Sequence, residues 1–159
     1  MKYLGMMHYF LGLEVWKFPD KIFLNQGKYS IKILNRFGML DCKAMNTLMV
    51  TNLNLMNDES SERADVTLYR QIISSLMDLT YTRPYICFVV NTLIQYMVKP
   101  IHVRLIEAKH VMRYLKGTLD CGLTYAVDRE FRLCGYTDSN WVGSSKDRKS
   151  TSGCCFSLG

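Results

Sequence analysis

An α+β fold is predicted for this chain by three observations. The sequence opens on a β-rich stretch broken by a turn, continues through amphipathic stripes at helical spacing, and returns to strand-like alternation after residue 118. At 159 residues, 48% hydrophobic and 21% charged, the chain has the composition of a globular protein long enough to bury a core.

Residues 9–16 (Tyr-Phe-Leu-Gly-Leu-Glu-Val-Trp) read as one strand, with Tyr9, Leu11, Leu13 and Val15 on one face. Phe18, Pro19, Asp20 and Lys21 form a turn signal, and Ile22, Phe23 and Leu24 resume the strand, so a hairpin is expected without a strand before it. Tyr29, Ile33, Leu34 and Phe37 then recur at helical spacing, with Gly38 as the natural stop.

Residues 56–65 are polar and read as a loop. Beyond it, Tyr69, Ile72, Ile73, Leu76 and Met77 make one apolar stripe. Pro84 suits the first turn of a second helix, which carries Ile86, Val89, Val90, Leu93, Ile94 and Met97 inward. A third is expected from about His102 to Lys116, burying Leu105, Ala108, Met112 and Leu115 before Gly117. Strands are expected again at residues 122–125, 131–138 and 152–158, the last two joined by a turn rich in Gly, Ser and charge.

The formal net charge of +6 tilts the chain toward a polyanionic partner without establishing one. There is no secretory signal and no apolar run long enough to cross a bilayer, which predicts an intracellular protein, cytoplasmic, nuclear or mitochondrial. Six cysteines, none in a C-x-x-C pair and none at ligand spacing from a histidine, read as reduced and mostly buried small hydrophobes. Phosphate loops, dinucleotide fingerprints, nucleophile elbows and zinc-protease motifs are all absent. A polymerase centre needs carboxylates paired on a hairpin, and the adjacent acidic pair, Asp58 and Glu59, lies in the polar loop.

Two sets of residues could carry function. Arg104, Lys109, Arg113 and Lys116 stand on the third amphipathic helix with His110 nearby, a pattern able to neutralise phosphates without reading bases. From spacing alone the better reading is a solvated helix face. Tyr96 and Tyr114 could stack on bases, although packing suits both better. Asp138 ends a strand in Gly-Tyr-Thr-Asp-Ser-Asn-Trp, where a carboxylate can hold Mg²⁺ if partners join it or can simply begin a turn.

Several stretches carry a resemblance. His8 to Val15 (His-Tyr-Phe-Leu-Gly-Leu-Glu-Val), Ile22 to Tyr29 (Ile-Phe-Leu-Asn-Gln-Gly-Lys-Tyr), Thr80 to Ile86 (Thr-Tyr-Thr-Arg-Pro-Tyr-Ile) and Ala108 to Thr118 (Ala-Lys-His-Val-Met-Arg-Tyr-Leu-Lys-Gly-Thr) resemble, in order, the end of the reverse transcriptase of Ty1/copia-type retrotransposons. The stretch Tyr-Thr-Asp-Ser-Asn-Trp-Val-Gly from Tyr136, with Asp-Arg-Lys-Ser-Thr-Ser-Gly from Asp147, is similar to the opening of the linked RNase H domain. The likeness covers essentially the whole chain and extends to plant copia-derived Pol fragments, including open reading frames of plant mitochondrial genomes.

The resemblance implies three parts: residues 1–56 as the end of the palm and first thumb helix, 57–118 as helical thumb and connection, and 119–159 as the first strands of a truncated RNase H-like domain. It implies a template–primer or RNA–DNA duplex as partner, other Pol segments as possible companions, and Mg²⁺ as the cofactor of the intact family. The candidate nucleic-acid contacts are then Lys28, Arg104, Lys109, Arg113 and Lys116, and Asp138 matches the first metal-binding Asp of RNase H. The polymerase Asp pair and the later RNase H carboxylates have no counterpart here, so the chain is expected to be inactive alone. A basic binding module for nucleic acid or protein, without catalysis, is the other reading. The sequence departs from the family pattern at Leu48, where Pro is usual, and at Ser75, Asp78 and Tyr85, which replace the commoner Gly, Tyr and Asp. Asp78 flanks an apolar stripe, where a carboxylate requires a partner.

Overall fold

The computed structural model describes residues 8–49, 62–126, 133–140 and 151–158. The architecture is α+β, as expected, and divides into two compact units, Met1–Lys17 with Phe23–Thr124, and Phe18–Ile22 with Tyr125–Gly159. Among the described residues no helix is long and apolar enough to cross a membrane.

The opening strand is two strands. β1 (Tyr9–Phe10) and β2 (Leu13–Lys17) pair antiparallel, with Tyr9 opposite Glu14 and Phe10 opposite Leu13. The two residues between them, Leu11 and Gly12, have φ of 48° and 85°. Positive φ at both central positions is what a tight I′ hairpin turn requires, and its twist matches that of the strands it joins. The expected continuous face through Tyr9, Leu11, Leu13 and Val15 is therefore broken, because alternation alone does not reveal a turn with leucine in its first central position. Phe18 N donates to Lys21 O (2.8 Å), closing the expected turn before β3 (Lys21–Asn25).

The sheet runs β1-β2-β3-β4, and β4 (Gly122–Ala126) comes from nearly a hundred residues downstream. The hairpin therefore has a sheet neighbour that local pattern could not supply. A side chain at Gly122 would meet Leu24 O at 2.1 Å, so close approach of the two backbones excludes any larger residue there. The strand falls within the expected third part, 119–159, yet belongs to this first sheet rather than to the later hairpin.

α1 (Gly27–Arg36) ends as Gly38 predicted. Met39 N donates to Leu34 O (2.8 Å) and Gly38 N to Asn35 O (3.0 Å), the paired bonds of a Schellman stop, with Gly38 at φ 64°. A Cβ at Gly38 would touch nothing within 4 Å, so Gly38→Ala changes only the backbone term. Its expected cost is about 1 kcal/mol, readable as a lower urea midpoint at unchanged slope.

α2 (Val66–Leu79) is capped by Asp65, whose Oδ1 accepts from Thr67 N (2.8 Å) and Leu68 N (3.1 Å). It buries Tyr69, Ile72, Ile73, Leu76 and Leu79, while Met77 is 45% exposed. Leu79 takes the place expected of Met77 because it stands seven positions from Ile72, back on the same face. A 3-10 turn, Pro84–Ile86, leads into α3 (Cys87–Ile94), shorter than the apolar run to Met97 suggested. The Tyr69 hydroxyl donates to Leu93 O (2.7 Å), tying α2 to α3.

α4 (His102–Lys116) has the expected bounds and buries Leu105, Ala108, Met112 and Leu115. Helices α1 to α4 share one core with Ile33 and Leu34.

The second unit contains β5 (Leu133–Asn140) and β6 (Thr151–Leu158), antiparallel and fully in register. Their expected joining turn, and the first residues of the expected 131–138 strand, lie outside the described residues. Cys42 and Cys87 are half-buried, but Cys121, Cys134 and Cys154 are exposed, contrary to the expectation of burial. These three follow α4.

Candidate nucleic-acid interface

Lys109, Arg113 and Lys116 recur at i, i+4 and i+7 and so share a face of α4. Lys109 and Arg113 are exposed, and among the described residues neither forms a salt bridge. Lys116 is half-buried and donates through Nζ to Leu40 O.

Arg104 stands apart from them. Only 3% exposed, it donates through Nη1 to Glu107 Oε2 (2.9 Å) and through Nη2 to the Tyr96 hydroxyl (2.9 Å). Its guanidinium also lies 4.0 Å from the centre of the Tyr96 ring. Residue spacing placed Arg104 with the outward cations, but the bonds it makes hold it inside. Tyr96 is thereby engaged in packing, and Tyr114 meets Tyr85 edge-on at 6.0 Å.

The chain after α1 is strapped along this helix at three points. Lys116 reaches Leu40 O, Met45 N donates to Arg113 O (3.2 Å), and His110 Nε2 is 2.8 Å from Thr47 O. His110 is therefore a buried anchor rather than a surface group. The strap carries exposed Lys43, together with exposed Asp41, beside the C-terminal half of α4. Sequence reading missed Lys43 because an irregular segment has no period from which to infer a neighbour.

Lys28 is exposed but not free. Its Nζ lies 3.5 Å from Glu14 Oε1 and 5.7 Å from the centre of the Tyr9 ring. Glu14 Oε2 accepts from Lys28 N (3.0 Å), so the carboxylate from β2 caps α1 in place of Gln26, which makes no side-chain cap. A negative charge is favoured at a helix N-terminus.

The residues carrying the resemblance converge on a buried polar knot. Thr82 Oγ1 donates to Gln26 Oε1 (2.8 Å), and Asn25 Nδ2 to Leu119 O (3.1 Å). Arg83, 0% exposed, donates to Leu119 O (3.1 Å), Thr118 Oγ1 (2.9 Å) and the Tyr85 hydroxyl (3.3 Å). Three stretches far apart in sequence are thus pinned together. These motif residues hold the fold, a role that short spacing could not disclose. Among the described residues Arg83 has no carboxylate partner and its Nε has no hydrogen bond.

Asp78 has the partner it was expected to need. It is exposed, and its Oδ2 accepts from the Tyr29 hydroxyl at 2.8 Å. Burial first, then this bond to a carboxylate, pushes the Tyr29 pKa up to about 12. Burial likewise raises Tyr69. An unfolded tyrosine ionises near pH ~10. The stability contributed by neutral Tyr29 is therefore complete below that pH and is lost as pH rises from ~10 toward about 12. Tyr29→Phe is expected to flatten that alkaline decline, measured by unfolding at a series of pH values; an unchanged pH profile would remove Tyr29 as a contributor.

Asp138 stands on β5 opposite Gly153. Among the described residues no cluster of three or more His, Cys, Asp or Glu could hold a metal ion. Asp138 is also the single acidic residue of β5 and β6. A two-metal phosphodiester site requires several carboxylates, so these strands alone do not fit one.

The geometry defines an α+β chain with an exposed basic helix face over a core pinned by motif residues. Along its whole length the chain is 40% identical to an uncharacterized mitochondrial protein of Arabidopsis thaliana, spanning 66% of that protein. It is 37% identical over 153 residues to the retrovirus-related Pol polyprotein from transposon RE2 of Arabidopsis thaliana, covering 96% of this chain and 10% of the polyprotein. To the Pol polyprotein from transposon TNT 1-94 of Nicotiana tabacum it is 30% identical over 168 residues, covering 99% of this chain and 12% of the polyprotein. No family model and no solved structure matches. The chain belongs to the Pol polyprotein family of copia-type retrotransposons, corresponding to a segment about a tenth of the polyproteins' length.

Proposed function

We propose that this chain is the segment of a copia-type Pol polyprotein that grips the template–primer duplex, and that it does not catalyse on its own. Residues 1–56 correspond to the end of the palm and first thumb helix, 57–118 to thumb and connection, and 119–159 to the opening strands of an RNase H-like domain. One observation carries the reading: Lys109 and Arg113 share an exposed helix face, and neither is ion-paired among the described residues. Cations so placed contact phosphates irrespective of base sequence. Arg104 and Lys28 are assigned to the interior and to the cap of α1, because each already has a carboxylate partner.

The test pairs binding with cleavage. The chain is expected to bind RNA–DNA hybrids of unrelated sequence with similar affinity, and to leave the RNA strand intact in Mg²⁺. Mg²⁺-dependent cleavage abolished by Asp138→Asn would overturn the non-catalytic half. Failure to bind any hybrid more tightly than an unrelated protein of equal net charge would overturn the other.

A further inference from the structure

The bonds that strap residues 40–47 along the C-terminal half of α4 also fix where Lys43 stands. Met45 N donates to Arg113 O (3.2 Å), Lys116 Nζ to Leu40 O, and His110 Nε2 lies 2.8 Å from Thr47 O. The strap approaches the helix end again at Gly117, where an added Cβ would lie 3.4 Å from Ala44 Cβ and 3.4 Å from Met45 O. Lys43 therefore stands between two anchored residues, Leu40 and Met45. Two residues of extended chain span at most ~7 Å, so its Cα stays within that distance of the residue bonded to Arg113.

Lys43 is exposed, and among the described residues it forms no salt bridge, not even with exposed Asp41 two positions before it. A helix C-terminus ordinarily disfavours anions through its free carbonyls. Here those carbonyls are occupied: Arg113 O by Met45 N, Tyr114 O by Gly117 N (3.0 Å), and Leu115 O by Thr118 N (3.1 Å). Two exposed cations, Arg113 on the helix and Lys43 on the strap, are thus carried at one end of α4. Phosphates of one strand follow one another every ~3.4 Å of duplex axis, so cations held this close together fall within reach of neighbouring phosphates.

We infer that Lys43 is a third phosphate contact of the duplex-binding face, placed there by the strap rather than by helical spacing. The inference rests on the reading of Lys109 and Arg113 as phosphate contacts and extends that surface beyond α4.

The test is the salt dependence of RNA–DNA hybrid binding by the full chain. Lys43→Ala is expected to reduce the magnitude of the slope of log affinity against log salt by about 1, equally for hybrids of unrelated sequence. Lys43→Arg keeps the cation and should keep the wild-type slope. Lys99→Ala removes the same charge from an exposed site before α4 begins, at the end opposite the strap, and should leave the slope unchanged. If Lys109→Ala/Arg113→Ala lowers the slope and Lys43→Ala does not, the inference fails while the duplex reading stands. If neither variant changes it, both fail. A loss from Lys99→Ala equal to that from Lys43→Ala would also overturn the inference, because net charge alone would then account for it.

Discussion

Arg83→Ala is expected to destabilise the first unit by about 3 kcal/mol, whereas Arg83→Met should stay within about 1 kcal/mol of wild type. The contrast follows from what surrounds the side chain. Arg83 is fully buried, and its three hydrogen-bond partners, Tyr85, Thr118 and Leu119, are all uncharged. Alanine removes the long stem and leaves a cavity. Methionine keeps most of the packing and removes a cation whose desolvation the hydrogen bonds offset only in part. Leu119 O retains its bond from Asn25 Nδ2 in either variant, so the knot is loosened rather than emptied.

Tyr85→Asp is expected to stabilise by about 1 kcal/mol. A charge-assisted bond to Arg83 contributes about 1.5–3 kcal/mol, against about 0.5–1.5 kcal/mol lost with the Tyr85–Tyr114 edge contact. Urea midpoints of the three variants decide it. If methionine proves as damaging as alanine, the hydrogen bonds and not the packed stem hold the knot.

The second large effect concerns binding. Lys109→Glu/Arg113→Glu should weaken hybrid affinity by about ten- to a hundredfold at moderate salt, because two phosphate contacts become repulsive. The loss should be the same for hybrids of different sequence. Lys28→Ala is the comparison: its ammonium already faces Glu14 and the Tyr9 ring, so its removal should change affinity by less than about threefold. Equal losses for the two variants would mean that the surface has been misplaced.

Much of the helical half was legible because a periodic stripe reports both an element and its buried face. α4 and its inward Leu105, Ala108, Met112 and Leu115 illustrate this directly. Features depending on distant partners were not legible. β4 joins β3 across nearly a hundred residues, and no local pattern in Gly-Leu-Thr-Tyr-Ala names its neighbour. Arg104 and Lys109 look alike in sequence, and only Glu107 and Tyr96 together with the burial of Arg104 tell them apart. Arg83 lies in one of the stretches that carry the resemblance, but its structural role was not legible because its partners Thr118 and Leu119 are more than thirty residues away. The turn at Leu11 and Gly12 was hidden by a leucine in a position usually held by Gly, Asn or Asp.

In the proposed function the exposed face of α4 grips a duplex by its phosphates. The most direct measurement is the salt dependence of RNA–DNA hybrid binding, comparing the wild-type chain with Lys109→Ala/Arg113→Ala. Phosphate contacts from Lys109 and Arg113 predict that the slope of log affinity against log salt is smaller in magnitude by about 2 in the variant. Identical slopes for the two proteins would contradict the account.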